Sequence, residues 1–159
     1  MAGAWCPGHS LIVAKRSAHA ENLFVVRWGP PEAADVDEIK REVPAVRRAS
    51  GKPLVYIAIM PGDLPNLDEA QRKLLTDLTE AILPDCVTVA IVMEARGFRG
   101  AILRSAMTAV SLLTRKHNTI RVVDSLEGAL EFAGDKLAVD RARVEQTLAE
   151  VGAQLGQVA

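Results

Sequence analysis

Cys6 and His9 stand in C-x-x-H spacing, which is half of a tetrahedral zinc site. Four ligands would require Cys86, His19 and His117 to converge from three separate segments, and no second Cys or His pair lies near the first, so the spacing gives no metal site. Cys86, directly ahead of an apolar run, reads as a small core residue rather than a nucleophile. No nucleophile elbow surrounds a Ser or Cys, and neither a G-x-x-x-x-G-K nor a G-x-G-x-x-G run follows a strand-like segment. Adjacent carboxylates, Asp37 with Glu38 and Asp68 with Glu69, fall at helix starts, where capping and the helix dipole account for them. The expectation is a non-enzyme with no cofactor and no metal.

The segment 94–100 is the strongest remaining candidate. Gly97 and Gly100 would expose backbone donors there, and Arg96 and Arg99 would add positive charge near a helix start, an arrangement that favours an anion. With Phe98, the same loop makes a protein-contact surface. Asp63 lies in the loop after the preceding apolar run, which should be its neighbour, because ligand crevices in an open α/β sheet form beyond the carboxyl ends of parallel strands.

Two apolar runs must carry these loops. Residues 54–60 contain no charge, and residues 87–93 contain Thr88 as their one polar member, the composition of strands buried on both faces. The helix between them has Asn66 as a cap with Glu69 three positions on, and a stripe of Leu67, Leu74, Leu78 and Ile82; Pro84 ends it. The result is a parallel β-α-β unit. Ahead of it, residues 11–15 and 23–28 read as two strands of an antiparallel hairpin joined by 16–22. A helix follows with Val36, Ile39, Val43 and Val46 on one face, Pro44 inside it, and Ser50 with Gly51 at its close.

Residues 98–113 form a helical pattern with an unusually wide apolar face. One stripe runs through Phe98, Ile102, Ala106, Ala109 and Leu113, and a second through Leu103, Met107 and Val110. That width exceeds what packing on one sheet requires, so a docking surface is expected along Arg104, Met107 and Val110. Residues 120–123 make a last strand, Asp124 and Glu127 a capping box, and Asp135 the cap of a final helix carrying Leu137, Val144, Leu148, Val151 and Leu155. This last helix is either a coiled-coil-like strut or an appended helix packed on its own domain.

A chain of 159 residues fits one domain with a real core. Its formal net charge of -1 and 4% aromatic content provide neither the basic footprint nor the stacking platforms of nucleic-acid binding. No run of 18 uninterrupted apolar residues exists to span a membrane, and Pro7, Gly8 and His9 break up any secretory signal, so a cytoplasmic location is expected. Two cysteines make no disulfide framework, which agrees with a reducing compartment.

The order strand, strand, helix and three further strand-helix pairs closes with Ile120, Arg121, Val122, Val123, Asp124, Ser125, Leu126, Glu127, Gly128, Ala129 and Leu130, and it resembles the STAS family, which includes the bacterial anti-sigma factor antagonists. The resemblance covers roughly residues 11–133. It implies an α/β domain with a mixed sheet of about five strands that works by binding proteins, in some members under phosphorylation control and in some binding nucleotides or other small ligands. In the antagonists the phosphorylated Ser or Thr opens the helix after the third strand. The matching stretch here, 61–68, has neither residue, so the switch is not carried over; Asp63 or Asp68 could mimic a permanent negative charge, but acidic residues opening a helix are expected for dipole reasons in any case.

The expected organisation is an arm over 1–10, a STAS-like domain over 11–133 and a C-terminal helix within 134–159. The expected function is regulatory docking to a second copy or to a protein partner, through the loop 94–100 and on along Arg104, Met107 and Val110; the candidate binding residues, for protein or anion, are Asp63, Arg96, Phe98, Arg99, Arg104, Met107 and Val110. The alternative is a binding domain for a small molecule or nucleotide-like anion, in the crevice at the carboxyl ends of the central strands.

Overall fold

The computed structural model describes residues 15–95, 97 and 119–156. Five strands, β1 (Arg16–Ala20), β2 (Leu23–Arg27), β3 (Leu54–Met60), β4 (Cys86–Met93) and β5 (Ile120–Val123), form one sheet in sequence order. β1 pairs antiparallel with β2, and every other neighbouring pair is parallel. Among the described residues the helices are α1 (Ala33–Ser50), α2 (Glu69–Ile82), α3 (Leu126–Ala133) and α4 (Arg141–Glu150). The expected α/β class and mixed five-stranded sheet are present, and the two apolar runs lie side by side at its centre.

All seven residues of β3 are buried, because the sheet is covered on both sides. On one side Phe24, Val26, Tyr56, Met60, Val89 and Ile91 meet Val36, Ile39 and Val43 of α1 and Leu75, Leu78 and Ile82 of α2. On the other, Leu23, Val25, Val55, Ile57, Ile59 and Val92 meet Ala129 and Ala133 of α3, Val144 and Leu148 of α4, and Val151 just past its end. Ile57 and Ile59 keep no exposed surface, and each such side chain contributes about 2 kcal/mol by burial.

The first strand is displaced from its sequence position. β1 occupies 16–20 rather than 11–15, of which only Lys15 is described, and its link to β2 shortens to Glu21 and Asn22, with Glu21 at φ 47. As an edge strand it buries only Ala18 and Ala20, residues too small and unbranched to signal a strand. α1 runs unbroken through Pro44 and ends as expected, with Gly51 in the left-handed region (φ 69) donating its N–H to Arg47 O at 3.2 Å.

Three helix starts differ from the sequence reading. Asp68, not Asn66, caps α2, in a capping box with Gln71 (Asp68 Oδ1 accepts from Gln71 N at 2.7 Å). The buried stripe of α2 runs through Leu75, Leu78 and Ile82, leaving Leu74 half-buried. Ser125, not Asp124, caps α3 by accepting from Gly128 N at 3.0 Å. Asp140, not Asp135, caps α4, because a short 3-10 turn, Gly134–Lys136, intervenes. The ten residues of α4 stop before Val151 and pack on β1 and β2, so the helix is appended to its own domain and is no extended strut. The apolar helical pattern of 98–113 lies outside the described residues.

At the amino ends of the parallel strands a single side chain ties distant segments together. Asn22 is 2% exposed; its Nδ2 donates to Pro53 O at 3.1 Å and Lys136 O at 2.8 Å, and its Oδ1 accepts from Ala138 N at 2.9 Å. Its backbone carbonyl accepts from Val55 N at 2.7 Å. Buried polar groups normally find such partners, whereas the Thr88 hydroxyl, fully buried in β4, has none among the described residues.

Candidate functional site

Where β2, β3 and β4 end, the chain emerges at the carboxyl edge of the sheet. The ladder continues one step past the strands there, with Trp28 N donating to Ile59 O at 3.0 Å and Glu94 N to Met60 O at 3.1 Å. Leu64 N then donates to Pro61 O at 3.1 Å, closing a four-residue turn with Gly62 and Asp63 at its tip. A Cβ on Gly62 would stand 3.3 Å from Glu94 O, so glycine lets the two loops rest against each other. The expected neighbourhood of the Asp63 loop and the loop after β4 is therefore present.

Asp63 is exposed, whereas Asp68 is engaged in capping α2. Of the two acidic residues in this stretch, only Asp63 has a carboxylate not already used in capping that helix. Leu64 and Ala95 are buried beneath the rim, and Gly97 stands exposed at φ 71. The other expected site residues, Arg96, Phe98, Arg99, Arg104, Met107 and Val110, lie outside the described residues, as do Cys6, His9 and His117.

Cys86 and Tyr56 are packed against the core, whereas His19 is exposed on β1. Burial, reinforced by Asp85, pushes the Cys86 thiol up to about 12, so it stays protonated at neutral pH and is a poor nucleophile. Burial also raises the Tyr56 hydroxyl well above its usual value, with a hydrogen bond from the Trp28 side chain working weakly against it. Tyr56 stacks on Phe24 at 5.8 Å between ring centroids. Among the described residues no group of three or more His, Cys, Asp or Glu is arranged to hold a metal ion, and no helix is long and apolar enough to cross a membrane.

A polar cluster joins β1 to α1. Lys15 Nζ lies 3.0 Å from Glu38 Oε2, with the Lys15 side chain only 6% exposed, and Ser17 Oγ donates to Glu42 Oε2 at 3.2 Å. The hydrogen bond from Lys15 holds the Glu38 carboxyl below its usual range; burial, then the neighbouring Glu38, raises that of Glu42. Glu42 accordingly keeps its proton longer and shares it with Glu38.

An ion pair at the rim escapes sequence reasoning. Arg27 Nη2 lies 3.7 Å from Glu94 Oε2, and Arg27 Nη1 donates to Gly152 O at 3.5 Å, joining the end of β2 to the loop after β4 and the turn after α4. The available signal was a charged residue closing an otherwise apolar strand. Comparison of the chain with protein-family models, with curated proteins and with solved structures finds no match.

Proposed function

We propose that this chain is a non-enzymatic, STAS-like regulatory domain that works by docking to a second copy of itself or to a protein partner. The observation that carries this reading is the turn after β3. In the antagonists the corresponding stretch bears the regulatory phosphate; here it stands exposed, with Asp63 at its tip and Gly62 braced against Glu94. An exposed turn of this kind offers a contact surface. The element order supports the same reading, an antiparallel hairpin followed by parallel strands in sequence order. The inward placement of Cys86 and Tyr56, both held protonated, favours binding over covalent or acid-base chemistry.

The docking surface is proposed to run from Asp63 into the segment after Glu94, with Met107 and Val110 as its apolar part and Arg96, Phe98, Arg99 and Arg104 around them. Sedimentation of the wild type beside Asp63→Lys and Met107→Asp tests this, together with pull-down from the native cell. Self-association or partner capture that both substitutions abolish is expected. A monomeric wild type that captures no partner sinks the proposal.

A further inference from the structure

On the side of the sheet covered by α4, Arg16 and Arg27 are direct partners across the β1–β2 pair. Like charges placed opposite each other in an antiparallel pair repel, so this position needs neutralising charge. The structure provides little of it. The Glu94 carboxylate lies 3.7 Å from Arg27, longer than a charge-assisted hydrogen bond. The carbonyl of Gly152, at the end of α4, takes up one Nη1 proton of Arg27 at 3.5 Å.

The Arg16 guanidinium makes no ion pair or side-chain hydrogen bond among the described residues, and its Nη1 lies 3.8 Å from where a Cβ on Gly152 would stand. Gly152 has φ 74, a conformation that keeps this point free of a side chain. Two guanidinium groups thus approach one bare glycine, and among the described residues Glu94, on the Arg27 side, is the carboxylate paired with either of them. The place is the carboxyl edge of β2 and β4, where ligands of open α/β sheets bind.

We propose that Arg16 and Arg27 form a site for the phosphoryl group of a small molecule, with Glu94 as the intramolecular competitor that holds Arg27 in the empty state. Guanidinium groups suit this ligand because their paired N–H donors match phosphate oxygens. This site borders the Asp63 turn through Glu94 but includes neither Asp63 nor Gly62, and it does not depend on the docking reading.

The test is titration of the full chain with inorganic phosphate at constant ionic strength, followed by the Gly152 amide resonance, with acetate as the control anion. Saturable phosphate binding is expected. Arg16→Gln should weaken it about tenfold, the loss of one charge-assisted contact, and Glu94→Gln should tighten it. Because the Arg16 guanidinium makes no ion pair or side-chain hydrogen bond among the described residues and stands opposite Arg27, Arg16→Gln should leave thermal unfolding unchanged or slightly raised, which separates lost binding from lost structure. Unsaturable shifts in both wild type and Glu94→Gln overturn the proposal. So does unaltered affinity in Arg16→Gln, or acetate saturating at an equal or lower concentration.

Discussion

The two edges of the sheet are built differently. At the amino edge the buried Asn22 side chain spends its hydrogen bonds on backbone groups of two distant segments. At the carboxyl edge the loops meet through Gly62 and the Glu94 carbonyl, an ion pair stands at 3.7 Å, and Asp63 faces solvent. One edge fixes the fold and the other leaves charged groups free to exchange partners. Rigid support on one side is what allows a binding rim on the other to hold its shape without dense internal bonding.

Substitution can break this contrast. Asn22→Ala should have the largest effect, about 3 kcal/mol in urea unfolding, since it removes three part-buried hydrogen bonds that tie two distant segments to the start of β2. A loss below about 1 kcal/mol would mean that the amino edge is no firmer than the rim. Gly62→Val comes next at about 2 kcal/mol, because its side chain drives into the Glu94 backbone. Its amide shifts should cluster at residues 61–64 and 94–95, and shifts reaching Asn22 would show the edges to be coupled.

Thr88→Val should raise stability by about 1 kcal/mol, by removing a buried hydroxyl that bonds to none of the described residues while keeping its shape. An unchanged or lower unfolding midpoint would reveal a partner for that hydroxyl. The smallest effect is a change of slope. The folded protein holds the Glu42 proton more tightly than the unfolded chain, so stability falls as pH rises from the ordinary value of 4.5 toward the raised one. Glu38, held low by Lys15, acts oppositely, and its contribution is lost as pH falls below 4.5. Glu42→Gln should remove the decline on the alkaline side of that value. Denaturation midpoints measured across the range check it, and an unaltered slope would rule out the shared proton.

The centre of the molecule was legible because burial on both faces leaves an unbroken apolar run, as in β3, and burial on one face leaves a stripe, as in α1. β1 was illegible because an edge strand needs only Ala18 and Ala20 to face inward. Helix starts were misplaced wherever several capping residues stood close together, as with Asp124 and Ser125, because tertiary geometry chooses among residues of similar propensity. For the candidate site, the meeting of the two loops could be anticipated from β-α-β topology. The Arg27 ion pair and the Asn22 ties could not, since their partners lie 31 to 125 positions away and leave no local trace.

The ties from Asn22 to Lys136 and Ala138 also set an order of events during synthesis. A chain that emerges from the ribosome amino end first can assemble β1 to β4 with α1 and α2 early, but Leu23, Val25 and Val55 must wait for Val144 to Val151 before losing contact with water. For much of translation one side of the nascent sheet is therefore a sticky, unfinished surface. Shortening the chain before α4 should yield a product that aggregates or is held by chaperones.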